Sequence, residues 1–239
     1  MRNYLLLSVI LILFVLETGC EKESNHTAPD TNIDTIYHPF VDTNKIWSTG
    51  ALSFSAFSFG LPFYPDYSFY NKIGSDTTIN DQMWYKVVES RDEAHENWIF
   101  RYCYILESDK KVFLKWIYGG NEILMYDFSK KAGDTVKIKS IFSLNGSEDN
   151  FIVDSVKFLP VLNSVKRRHF FLHSQKNLRW NFTWIEGFGS INGFFENRGM
   201  YGQYGGLYRL ICIEENDLVI YKDSVKYGFN KCFFPNAGK

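Results

Sequence analysis

Trp98-Ile99-Phe100-Arg101-Tyr102-Cys103-Tyr104-Ile105-Leu106-Glu107, then Ser108-Asp109-Lys110, then Lys111-Val112-Phe113-Leu114-Lys115-Trp116-Ile117-Tyr118, is the stretch that decides the fold. Its two arms are short and dense in aromatic and branched residues, and the joint between them is polar. Bulky and β-branched side chains fit a pleated surface, while Ser, Asp and Lys suit a turn. The stretch predicts two strands around a turn. Cys103, between Tyr102 and Tyr104, reads as a small residue of the core.

The same signal recurs on both sides. Strands are expected over 46–59, 67–73, 83–89, 123–128, 135–141, 151–159, 165–173, 181–186, 207–213 and 218–221, bounded by Gly, Pro, Asn, Asp and Ser. Pro62 and Pro65 cannot sit inside a sheet, so Gly60 to Asp66 is expected to be a loop. Ser90 to Asn97 reads as one short helix or a polar loop, and no other segment carries a helical stripe. Gly187 to Gly206 holds seven of the 17 glycines and reads as a long irregular connection. The expected fold class is all-β: an antiparallel meander forming a sandwich or an open barrel, with at most one short helix.

The start of the chain differs in kind. Arg2, an apolar run from Tyr4 to Leu16, and Thr18-Gly19-Cys20 describe a secretory signal. The run falls short of the roughly 20 apolar residues of a membrane span. Cys20 directly after Gly19 resembles the lipobox of bacterial lipoproteins, in which the cysteine thiol carries a diacylglycerol. Glu17 stands where lipoboxes carry a small or apolar residue, which predicts slower processing. Glu21 to Asp34 is polar and without an apolar stripe, the composition of a tether. The expected organisation is a signal peptide over 1–19, a lipid-anchored flexible tether over 20–44, and one β-rich domain over 45–239.

The formal net charge is -1, and removal of Arg2 and Glu17 with the signal leaves it there. A nearly neutral chain has no global field to gather nucleic acid, so no nucleic-acid partner is expected. Of the four cysteines, Cys103, Cys212 and Cys232 lie in the domain. An exported chain can oxidise one pair. Cys212 with Cys232 is the expected disulfide, because it would hold Phe233 and Phe234 against the sheet and close a loop of about 20 residues, leaving Cys103 as a buried thiol.

The order of several short motifs is similar to a family of exported proteins common in Bacteroidota, often found ahead of a C-terminal secretion-sorting domain. The matching pieces are Asp76-Thr77-Thr78-Ile79-Asn80 before Trp84-Tyr85-Lys86-Val87, and Leu124-Met125-Tyr126-Asp127-Phe128 before Gly133-Asp134-Thr135-Val136. Trp184-Ile185-Glu186-Gly187-Phe188-Gly189-Ser190 follows, then Cys212, Ile220-Tyr221 and Cys232. The chain departs from that pattern in ending at Lys239, which implies that a lipid replaces the sorting domain. Glu21-Lys22-Glu23 behind Cys20 resembles the export tag of surface lipoproteins of that phylum, and Asp34-Thr35-Ile36 resembles its O-glycosylation acceptor. The resemblance implies an outer-membrane, outward-facing lipoprotein and carries no activity.

Each candidate site has a plainer alternative. His169 and His173 on a strand would lie about 13 Å apart, too far for one ion with bonds near 2 Å, so no metal is expected. Gly187-Phe188-Gly189-Ser190-Ile191-Asn192-Gly193 lacks both the dinucleotide and the nucleophile-elbow spacing and reads as a tight turn. Lys166-Arg167-Arg168 reads as a solvated strand edge. Asp127 and Glu186 are the carboxylates to consider for catalysis, against a turn cap and an ion pair. Phe, Tyr and Trp make up 18% of the chain, and Phe63, Tyr64 and Tyr67 flank the proline-stiffened loop, a candidate ligand-binding loop.

No cofactor motif and no catalytic residue is assigned, and the reading leans away from an enzyme. The expectation is a non-catalytic surface binding or accessory module, membrane-bound through its lipid, with a glycan or an envelope protein as partner. An envelope glycan hydrolase is the alternative.

Overall fold

In a computed structural model the described residues are 36–52, 65–139, 148–176, 181–196, 207–223 and 231–235. They form β1 (Lys45–Leu52), β2 (Tyr67–Ile79), β3 (Gln82–Ser90), β4 (Ile99–Ser108), β5 (Lys111–Trp116), β6 (Ile123–Asp127), β7 (Thr135–Lys139), β8 (Glu148–Pro160), β9 (Lys166–Ser174), β10 (Asn181–Ile185), β11 (Gly189–Ser190), β12 (Leu207–Glu215) and β13 (Leu218–Lys222). Among the described residues the one helical element is a 3₁₀ turn at Leu162–Ser164. Among the described residues no helix is long and apolar enough to cross a membrane.

The strands make two antiparallel sheets. The first runs β13-β12-β1-β2-β3-β4-β5-β6 and the second β11-β10-β9-β8-β7. The fold is all-β, of the sandwich or open-barrel class. One apolar core joins the two inner faces. Tyr126 of the first sheet meets Trp184 of the second edge-on at 5.3 Å, and Phe128 meets Phe170 at 5.7 Å. Aromatic rings from both sheets thus meet inside the core, where they add a specific geometry to the area they bury.

Turn chemistry sets the register of the first sheet. Asn80-Asp81, Asp109-Lys110 and Asn216-Asp217 each form a two-residue hairpin loop with both φ values between 51° and 63°. Such loops match the right-handed twist of paired strands, and Asn and Asp tolerate positive φ better than most residues. The Ser90 to Asn97 segment is a loop beyond the strand end, not a helix. Asp92 folds it by accepting the Glu96 and Asn97 N–H groups at 2.9 and 3.0 Å, and those bonds hold its carboxyl down to about 2.

The domain begins earlier than the expected boundary at 45, because residues 36–44 pack into it. Phe40 is fully buried, with ring contacts to Trp47, Tyr126 and Phe194 at 5.1–5.3 Å. Glu107 takes the Tyr37 hydroxyl and, at 2.8 Å, the Val41 N–H. Glu186 accepts the His38 N–H at 3.1 Å. Residues 36–44 are thus a strap, not a tether.

The other end of the chain is stapled. Cys212 and Cys232 form the expected disulfide, with Cα atoms 5.4 Å apart, and Cys103 is a buried thiol whose pKa burial pushes up to about 12. Phe233 stacks on Tyr70 at 5.7 Å, and the Phe234 N–H donates to Ser68 Oγ at 2.8 Å. The bridge holds the two phenylalanines against β2.

Candidate functional site

The candidate carboxylates are engaged in structure. Asp127 is buried and accepts the Ser129 N–H at 3.1 Å, capping the turn after β6. Glu186 is buried against Arg168, with its other oxygen on the strap. His169 and His173 lie on β9, where His169 Nδ1 is 3.0 Å from the Arg167 carbonyl and His173 Nδ1 is 2.6 Å from Asp154. Among the described residues no group of three or more His, Cys, Asp and Glu is placed to hold a metal ion.

Lys166-Arg167-Arg168 does not form a solvated edge. β9 is the central strand of its sheet, and Arg167 is only 4% exposed. Its guanidinium lies 4.3 Å over the Phe188 ring and 3.8 Å from Glu215. Burial lowers its pKa, and the charge is retained because the carboxylates of Glu215, Glu186 and Asp42 answer it. The Gly187 to Gly193 turn is as expected. Gly187 has φ +74° beside Arg167 and the His38 carbonyl, and Gly189 has φ +84° beneath Phe40 and Tyr126, so a Cβ at either would collide.

Cys20, Phe63 and Tyr64 lie outside the described residues. Tyr67 opens β2, half-buried and 6.5 Å from the Phe69 ring, so it lines the inner face of the sheet. A cleft of about 480 Å³ beside the strap is lined by Tyr37, Pro39, Val41, Tyr85, Glu107 and Lys110. Its carboxylate already serves Tyr37 and Val41.

The arrangement with surface left to offer lies on the outer face of β4. Cys103 and Ile105 point into the core, which turns Tyr102 and Tyr104 outward. Lys86 pairs with Tyr104 and Val88 with Phe100, so Val87 alone stands against Arg101, Tyr102 and Cys103. This bulge puts Tyr102 at φ +57°, a conformation that costs a bulky residue about 1–3 kcal/mol. Bulges re-aim side chains, and this one brings Tyr102 into line with its neighbours.

The result is a row of four rings: Tyr104, Phe100, Tyr102 and Tyr118, with successive centroids 5.5, 5.7 and 5.6 Å apart. Tyr102 is 51% and Tyr118 79% exposed, so the row rises out of the sheet. Ile117 N–H donates to the Tyr102 carbonyl at 2.9 Å, which fixes the two exposed rings relative to each other. Beyond Tyr118, Gly119 and Gly120 at positive φ leave the flank of the row open. Alternate aromatic residues from Phe100 to Tyr104 were legible in the sequence, but the side of the sheet they face was not.

Comparison of the chain with protein families, curated proteins and solved structures found no match.

Proposed function

We propose that this chain is a lipid-anchored cell-envelope protein whose β domain is a non-catalytic module that binds an extended glycan on the Tyr104–Phe100–Tyr102–Tyr118 row. The observation that carries the reading is the row itself: contiguous rings, two of them largely exposed, on a strand that accepts backbone strain to align them. Tyrosine offers a sugar both an apolar face and a hydroxyl at its edge. An extended row suits an extended polymer, whereas hot spots of protein interfaces gather at the centre of a patch. The Arg2 to Cys20 segment supports export and anchoring through Cys20, and Glu21-Lys22-Glu23 supports the outer face of the outer membrane.

Retention of the protein on immobilised envelope glycans tests the module. Tyr102→Ala with Tyr118→Ala should weaken retention at least about tenfold, since each ring face covered by a sugar removes apolar surface worth on the order of 1 kcal/mol. A double variant retained as well as the wild type sinks the reading. Anchoring has its own check: Cys20→Ser should abolish incorporation of labelled fatty acid, and a wild-type protein that takes up none is not a lipoprotein.

A glycan hydrolase is the second reading, favoured by one residue. Glu196 is 7% exposed, and burial pushes its pKa to about 8, leaving it protonated at neutral pH as a general acid must be. Release of reducing ends by the wild type and none by Glu196→Gln would select it.

A further inference from the structure

We infer that the tips of the β8–β9 and β12–β13 hairpins together form a face that rests on a phospholipid bilayer, given a chain anchored through Cys20 as proposed above. Each tip is closed by its own backbone. The Val161 N–H donates to the Val165 carbonyl at 2.8 Å around the 3₁₀ turn, and Asn216-Asp217 closes the other hairpin. The two tips are neighbours. The 3₁₀ turn touches β13, and Arg167 at the start of β9 lies 3.8 Å from Glu215 at the end of β12. Val161 and Ile220, one from each hairpin, pack inward against the core.

What the tips expose is apolar. Leu218 is 65% and Phe158 44% exposed, and Leu162, Val165 and Val219 are exposed with them. Hairpin tips ordinarily carry polar turn residues, so large apolar side chains gathered on two adjacent tips mark a contact surface. Position names the partner. Glu186 accepts the His38 N–H of the strap and pairs with Arg168, which stands across the ladder from Phe158. The strap therefore enters the domain beside this face, beginning at Ile36, itself 69% exposed. From Cys20 to Ile36 the chain reaches at most about 55 Å even fully extended, so the anchor keeps the domain at the bilayer and pulls on this end of it. An interfacial apolar face enters the boundary between headgroups and acyl chains by about 5–10 Å, and the exposed Lys157 and Lys166 beside it suit the lipid phosphates. Seating the face also orients the molecule. Glu107 receives the strap at one end of β4, while Tyr102 and Tyr118 lie toward the other, so the aromatic row stands away from the lipid.

The test uses the full-length acylated protein, reconstituted into phosphatidylethanolamine–phosphatidylglycerol vesicles that contain a phospholipid spin-labelled on its acyl chain. Leu218→Cys, Val165→Cys and Asn150→Cys are each labelled with a fluorophore. Cys103 is buried and Cys212 is bridged to Cys232, so neither competes for the label. Asn150 is exposed on β8, about 26 Å along the strand from Phe158, and serves as the distant control. All three positions are exposed, so the variants should melt as the wild type does. The Leu218 and Val165 labels should be quenched at least about threefold more than the Asn150 label, and adding Phe158→Ser with Leu162→Ser should cut the Leu218 quenching at least about twofold. An acylated protein whose three labels are quenched alike overturns the inference and leaves the anchor standing. A wild type that carries no fatty acid overturns both. Unquenched tips in a Leu218→Cys protein that cross-links chain to chain would give the face to a second copy, which overturns the inference as well.

Discussion

Glu196 is a carboxyl group placed where water barely reaches it. Unfolded, it ionises near its ordinary 4.5; folded, burial moves that to about 8. Between those values the folded state holds a proton that the unfolded state has released. Stability therefore falls as pH rises through the window and levels off above it. Subtracting the pH–stability curve of Glu196→Gln from that of the wild type should isolate a one-proton slope between pH 4.5 and 8. Parallel curves would place the carboxyl in water. At this scale the sequence spoke unevenly. Cys103 was legible as core, since a thiol between two tyrosines on a strand has only one face to occupy. Glu196, in a glycine-rich stretch with no periodicity, gave no sign that Phe194 would carry it under the sheet.

At the scale of elements, turns and the staple carry separable energies. Asp81 sits at φ +60° in the Asn80-Asp81 hairpin loop, where Gly pays no steric cost. Asp81→Gly should raise stability by about 0.5–1 kcal/mol in denaturant unfolding, with the slope unchanged. A loss would mean that the Asp81 side chain contributes more than its backbone costs. The Cys212–Cys232 bridge spans a sequence separation of 20, and reducing it should lower stability by about 3 kcal/mol in the chain-entropy account. Because Phe233 stacks on Tyr70, reduction should also deprotect amides of β2 to hydrogen exchange. Unchanged exchange after reduction would show that the C-terminal segment holds without its staple. Strand positions were legible because short aromatic runs between turn residues leave few alternatives. The continuation of β2 through Gly74 to Ile79 was not, since Gly, Ser, Asp and Thr look like a turn until Gln82 to Tyr85 pairs with them.

For the whole molecule, the boundary at the N-terminus decides whether the core closes. Phe40 fills a space between Trp47, Tyr126 and Phe194, so Phe40→Ala should cost about 3–5 kcal/mol. A chain beginning at Lys45 should be less stable still, because the Glu107 and Glu186 carboxylates lose the backbone N–H groups of Val41 and His38. Equal thermal midpoints for chains beginning at Ile36 and at Lys45 would return residues 36–44 to the tether.

By itself the sequence determined the class of fold, most strand positions, the disulfide and the buried thiol. These follow from local chemistry: side-chain bulk, turn residues, and the need of Phe233 and Phe234 for a hold. Only the tertiary structure decided which carboxylates are consumed, that Arg167 is buried on a central strand, and that Tyr102 faces outward beside Tyr118. It also buried Glu196, next to a phenylalanine pair packed against Trp47. Those outcomes depend on pairing between residues distant in the chain, and a strand's alternation says that two faces exist without saying which one meets water.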